Sequence, residues 1–198
     1  MDPAASLRIG CLVMAAGNAS RFGANKLAAE LDGRTLIERA LDAVPKGMFA
    51  AVCVASQYEG IEELAGKYGF AALHNAHPDW GLSYTIRLGT QAMRACDGIL
   101  YLVADQPLLR RDSVQRIAEA WLRTPEKIAG ASHEGRRGNP NLFPARFFTE
   151  LLALEGDCGG NLVIKRHTED YLPVELAPEE LRDCDTPQEL AALRIQAE

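Results

Sequence analysis

The sequence predicts an α/β protein: a mostly parallel sheet with helices on both faces. Two patterns and the size of the chain carry this. Continuous apolar runs at residues 8–16, 48–55 and 98–104 read as strands buried on both faces. Segments between them place apolar residues at helical spacing, so strands and helices alternate as in βαβ units. The chain has 198 residues, 47% hydrophobic and 24% charged, which suits one domain over 1–198 with a real core.

The elements follow in order. After the first strand comes a long loop, then a short apolar stretch at 27–31 and an Asp32-Gly33 turn. Thr35 with Glu38 three residues on forms a capping box for a helix whose stripe is Leu36, Ile37, Ala40, Leu41 and Val44. Pro45 and Gly47 stop it. The strand at 48–55 leads to a helix over 60–68 and a short strand over 70–74. A loop over 75–82 precedes a helix over 83–95. The run at 98–104 is the strongest strand in the chain and ends at Asp105-Gln106-Pro107. Asp112 or Ser113 caps a helix to about Arg123, and a strand follows over 128–132. Residues 133–141 read as a polar, glycine-bearing connection. Pro144 opens a helix to Leu154, a turn spans 156–160, and a helix covers 161–167. A last strand spans 171–175, and Pro187 opens a terminal helix.

Composition removes several classes of function. With 21 cations against 27 anions the net charge is −6, so a broadly basic nucleic-acid-binding surface is not expected. No apolar run approaches the roughly 18 residues of a membrane span, and the N-terminus lacks a secretory signal pattern. The five cysteines, at 11, 53, 96, 158 and 184, are odd in number and form no C-x-x-C. They read as reduced thiols of a cytoplasmic protein.

Chemistry concentrates at the mouth of the first strand. There Val13–Lys26 reads V-M-A-A-G-N-A-S-R-F-G-A-N-K, with Gly17, Gly23, Arg21 and Lys26. Small residues let backbone approach a ligand, and exposed N–H groups with Arg and Lys meet the charge of a polyphosphate. The spacing is neither a Walker loop nor G-x-G-x-x-G, which also argues against a dinucleotide oxidoreductase. Asp105 closes the other strong strand. Ligands of such sheets bind beyond the carboxyl ends of the strands, which brings Asp105 and the loop together. A carboxylate there suits Mg²⁺, and by itself it also suits an ordinary strand-end turn. Asp183-Cys184-Asp185-Thr186-Pro187 is a second acidic cluster, in which Asp185 or Thr186 can also cap the last helix.

A-A-G-x-x-x-R-x-G-x-x-K at 15–26 resembles the signature of the MobA-like nucleotidyltransferases, which serve molybdenum cofactor synthesis. A-D-Q-P at 104–107 is similar to the family's A-D-x-P, whose Asp binds metal. D-C-D-T-P at 183–187 resembles its late acidic motif. Residues 75–89 resemble its Asn, aromatic, G-x-S and R-x-G run. Trp80 by itself reads as core there, and Ser83 as a helix cap. R-G-N-P-N-L-F at 137–143 resembles R-G-H-P-x-L-F of the cytidylyl branch, with Asn139 in place of His. G-D-C-G at 156–159 resembles G-D-x-G but lacks the family's neighbouring Arg.

The resemblance implies a three-layer α/β/α, Rossmann-like fold of the nucleotide-diphospho-sugar transferase type. It implies transfer of a nucleotidyl group from a nucleoside triphosphate to a phosphorylated acceptor, with Mg²⁺ as cofactor. Ala15, Ala16, Gly17, Arg21, Lys26, Gly81 and Ser83 would bind the nucleotide, with Arg21, Lys26 and Asp105 as the catalytic set. Asp105 with Asp183, or alternatively Asp185, would hold the metal. Gly138, Asn139, Pro140 and Asp157 would line the acceptor side. Ala15-Ala16-Gly17 matches the cytidylyl A-A-G rather than the guanylyl A-G-G, since a Cβ at Ala16 fills space a purine would need. The implied reaction is CMP transfer from CTP to molybdopterin bearing molybdenum, with a molybdoenzyme as a partner that takes the product. A sugar or alcohol phosphate acceptor is the alternative, as is a non-catalytic nucleotide sensor on the same fold.

Overall fold

The computed structural model describes residues 7–17 and 25–195. Its strands are β1 (Ile9–Ala15), β2 (Glu30–Leu31), β3 (Arg34–Thr35), β4 (Ala51–Ser56), β5 (Ala71–His74), β6 (Gly98–Val103), β7 (Ile128–His133), β8 (Arg136–Pro144) and β9 (Tyr171–Glu175). Its α-helices are α1 (Leu36–Asp42), α2 (Glu59–Lys67), α3 (Leu82–Ala92), α4 (Arg111–Arg123), α5 (Phe148–Leu152), α6 (Asn161–Arg166) and α7 (Pro187–Ile195).

Seven strands form one sheet in the order β5-β4-β1-β6-β8-β7-β9, and β2 and β3 pair as a small hairpin. All neighbours in the large sheet are parallel except at β8, which runs antiparallel to both β6 and β7. Parallel strands need covering on both faces, and β1 shows how the alternation serves this. Cys11, Val13 and Ala15 pack into one core with residues of α1, α2, α4 and α7. Leu12 points the other way, into a second core with Ile86 of α3, Leu151 of α5 and Val163 of α6. This is the expected three-layer α/β/α arrangement. Gly89 lets α3 lie directly on β1, because a Cβ there would collide with the Leu12 side chain.

Local signals account for several boundaries. Thr35 and Glu38 form the reciprocal capping box that starts α1. At α7 the cap is Thr186: its Oγ1 accepts from the Glu189 amide, and Glu189 Oε2 accepts from the amides of Asp185 and Thr186.

Four expectations are corrected. Residues 136–144 are a strand rather than a polar connection. The hairpin turns at Glu134-Gly135, both at positive φ, and β8 takes its hydrogen bonds from its hairpin neighbour β7 on one side and from β6, distant in sequence, on the other. Pro144 therefore ends a strand, and the helical stretch beyond it is a single 3-10 turn followed by the short α5. Neither Asp112 nor Ser113 caps α4. That helix begins at Arg111, and the free amide of Arg110 donates to Glu180 Oε2 at 3.0 Å. Nor does Ser83 cap α3, whose N-cap is Gly81.

Cys11, Cys53, Cys96 and Cys184 are buried free thiols, and Cys158 is an exposed one. Burial raises the pKa of the four buried thiols, most of all Cys11. No helix among the described residues is long and apolar enough to cross a membrane.

Candidate active site

β1, β4, β5 and β6 run in one direction, so their last residues share one edge of the sheet. A cavity of about 600 Å³ opens there. Ala16 and Gly17 follow β1 into its wall, and Lys26 and Leu27 join it from the 3-10 turn Lys26–Ala28. Val103 and Asp105 come from the end of β6. Pro78 to Leu82 and Thr85 form the opposite wall, while Gly156, Asp157 and Asp185 close the rest. Arg21 and Gly23 lie outside the described residues.

The chemical centre is one ammonium between two carboxylates. Lys26 Nζ donates to Asp105 Oδ2 and to Asp185 Oδ1, each at 2.7 Å, and the lysine side chain is only 12% exposed. Burial alone would lower the pKa of this lysine; the two aspartates outweigh that and raise it. The late acidic segment is stitched to the end of β6. The Cys184 amide donates to the Asp105 carbonyl at 2.8 Å, and Gln106 Nε2 donates to Asp183 Oδ1 at 3.1 Å. The capping of α7 by Thr186 leaves the Asp185 carboxylate free to face Lys26. Asp183 keeps an exposed surface and turns to Gln106. Its carboxyl is nonetheless raised above the ordinary range, first by desolvation and then by the charge of Asp105.

The predicted site residues divide into groups. Ala16, Gly17, Lys26, Gly81, Asp105, Asp157 and Asp185 share the cavity wall. Ala15 lies buried behind it. Ser83 is fully buried and its Oγ has no hydrogen-bond partner among the described residues; its amide donates to the Gly156 carbonyl at 3.3 Å. Asp157 Oδ1 accepts from the Leu82 amide at 3.3 Å, so it caps α3 from 75 residues away. Asn139 lines a side cavity of about 50 Å³ together with Asn141 and Asn161, and Met14, Leu82 and Val103 face both cavities. Gly138 packs near Leu181 and Pro140 is buried, outside both walls.

Sequence reasoning missed three contributors. Trp80 is not core: it is 49% exposed and lines the cavity. Its signal was its place directly before Gly81. Gln106 anchors the late acidic segment, and Thr85, itself on the wall, accepts from Asn75 Nδ2 at 3.1 Å. Gly81 has φ +80, and a Cβ there would lie 2.5 Å from the Gly156 carbonyl oxygen, so this wall closes on Gly156 only with glycine.

An ammonium standing at 2.7 Å from two carboxylates marks a position that a cation fills. Hard oxygen donors of this kind suit Mg²⁺ or Mn²⁺. Lys26 itself is the one lysine on this wall among the described residues, and Asp105 and Asp185 are the carboxylates it pairs with.

Residues 11–171 match the MobA-like NTP transferase domain. The chain belongs to this nucleotidyltransferase family. It is 28% identical over 194 residues to the purine catabolism protein PucB of Bacillus subtilis, covering 91% of this chain and 93% of PucB. Among solved structures it is similar to a nucleotidyl transferase from Methanothermobacter, with a TM-score of 0.77, 22% identity and coverage of 96% and 97%. It is also similar to Rv0371c of Mycobacterium tuberculosis H37Rv in complex with manganese, with a TM-score of 0.76, 19% identity and coverage of 95% and 98%. The two solved structures share the fold over nearly the whole chain.

Proposed function

We propose that this MobA-like protein is a divalent-metal-dependent cytidylyltransferase of the cytoplasm, working as one domain over 1–198. It transfers CMP from CTP to molybdopterin bearing molybdenum. The observation that carries the reaction class is Lys26 held between Asp105 and Asp185 at the floor of the cavity. An oxygen of the acceptor's phosphate attacks the α-phosphorus of CTP, the bond from that phosphorus to the bridging oxygen breaks, and pyrophosphate leaves. The attacking phosphate is already largely ionised near neutral pH, so no general base is required.

Asp105 and Asp185 would hold Mg²⁺, with Asp183 nearby; Asp185 is preferred because it shares Lys26 with Asp105. The metal would neutralise phosphate charge and orient the α-phosphorus. Lys26, displaced from the two carboxylates, and Arg21 would bind the triphosphate. Ala16 and Gly17 would receive the nucleotide, with Gly81 and Ser83 near the base. Asp157 and Asn139, with Gly138 and Pro140 behind them, would form the acceptor side, from which a molybdoenzyme takes the product. The manganese complex of the mycobacterial neighbour supports a divalent ion here. The Ala16 Cβ on the cavity wall supports CTP over GTP.

A thermal-shift series with Mg²⁺ and CTP, GTP, ATP or UTP tests the nucleotide. A ligand at about 100 times its Kd adds roughly 2.7 kcal/mol of stability. CTP alone is expected to give this shift, followed by pyrophosphate release when molybdopterin is added. Stabilisation by GTP equal to that by CTP would remove the base assignment, and no shift with any triphosphate would remove the transferase reading.

A further inference from the structure

We propose that Trp80 is a stacking platform for a planar heteroaromatic ring of the substrate, an inference that rests on the transferase reading above. Trp80 is the most exposed of the large apolar side chains among the described residues, and it lies on the cavity wall. An exposed indole that is also held in place needs a reason, and two rings hold this one. The His77 ring stacks on it at 3.9 Å and 7°. Tyr84 meets it edge-on at 5.1 Å and 74°. Tyr84 in turn lies beneath the Arg87 guanidinium, 5.6 Å from the ring centroid.

The distances show which face these two rings leave uncovered. Tyr84 is 5.5 Å from His77 and 5.1 Å from Trp80, while those two rings are 3.9 Å apart. A ring on the far face of the indole would be much farther from His77 than from Trp80. Tyr84 therefore stands beside the stacked pair, and neither ring covers the second face of Trp80.

The backbone around the platform is also held. The His77 amide donates to Asn75 Oδ1 at 3.0 Å, Asn75 Nδ2 donates to Thr85 Oγ1, and Gly81 is locked against Gly156. A half-exposed indole with one face stacked on His77 and the other covered by neither His77 nor Tyr84 matches what base–aromatic stacking uses. Two substrates could supply the ring: the nucleobase of the triphosphate or the pterin of the acceptor.

The chain has two tryptophans, and Trp121 is buried at 1% exposure, so acrylamide quenching of fluorescence reports Trp80. The full chain would be titrated by calorimetry with Mg–CTP, a free pterin and Mg–tripolyphosphate, which lacks a ring. The same ligands would be scored for shielding of Trp80. The expected result is shielding by a ring-bearing ligand but not by tripolyphosphate. The Kd of that ligand should rise about 10-fold in Trp80→Leu and little in Trp80→Phe. An effect on CTP assigns the nucleobase, and an effect on the pterin alone assigns the acceptor. A ring-bearing ligand that binds wild type and Trp80→Leu equally would overturn the platform while leaving the transferase reading intact. Failure of every triphosphate to bind wild type would instead overturn the transferase reading, with the pterin arm still testing the platform.

Discussion

The two edges of the sheet carry similar charged groups in opposite settings. At the carboxyl edge Lys26 lies between Asp105 and Asp185 on the wall of a large cavity. At the amino edge, just before β7 and β9, His167, Glu169 and Asp170 bring possible ligand atoms within 4.8 Å of one another. There Asp170 and His167 already have partners beside them. Arg146 Nη2 lies 2.8 Å and Lys127 Nζ 3.5 Å from the Asp170 carboxylate, and His167 Nε2 lies 2.7 Å from Glu150. Neither cavity described above reaches these residues. An acidic cluster becomes a candidate site through the space beside it, and in a parallel sheet that space opens at the carboxyl edge. The amino-edge cluster does structural work between β7, β9 and the end of β8.

The largest test of this contrast is catalytic. Asp105→Asn should cut pyrophosphate release by about 10²–10³-fold, the scale for losing one electrostatic stabiliser, whereas Asp170→Asn should leave it near wild type. Equal losses at the two edges would abolish the distinction. Next is the shape of the cavity wall. Gly81→Ala should destabilise the fold by about 1–3 kcal/mol in denaturant unfolding, through left-handed backbone and collision with Gly156.

A third test asks whether Lys26 stands where a cation belongs. Without nucleotide, Lys26→Met should bind Mn²⁺ more tightly than wild type by electron paramagnetic resonance, because the competing ammonium is gone. Weaker binding would mean that Lys26 supports the ion rather than competing with it. The smallest effect is on pH dependence. The Lys26 pKa is raised in the fold, so its pairing stabilises below the ordinary lysine value of 10.5 and is lost as pH climbs through the raised value. Burial opposes ionisation of Asp170, yet Arg146 and Lys127 hold its carboxyl below the ordinary 3.8. That contribution is present above 3.8 and is lost as pH falls through the depressed value. Melting curves across pH should show the alkaline limb softened in Lys26→Met and the acid limb softened in Asp170→Asn.

Much of the site was legible because its residues sit at ends of elements with strong local signals. The apolar runs of β1 and β6 point to Ala16, Gly17 and Asp105, and the Thr186 cap explains why Asp185 is free. β8 was not legible, since Arg136 to Asn141 has neither apolar alternation nor β-branched residues and is a strand only through hydrogen bonds from β6 and β7. Trp80 misled because a lone tryptophan in a short turn reads as core. Its position on the cavity wall is set by the stacked His77 and the close Gly81–Gly156 approach, which local spacing does not express.

By itself, then, the sequence determined the layered α/β plan, the cap of α1 and the kinds of charge at the strand mouths, and it narrowed the cap of α7 to Asp185 or Thr186, because burial and capping act over a few neighbouring residues. Tertiary structure alone decided that Lys26 meets Asp105 and Asp185, 79 and 159 positions away, and that Asp183 turns to Gln106. Those meetings depend on parallel strands ending at one edge and on the late acidic segment being stitched to β6, which are long-range contacts that no local propensity specifies.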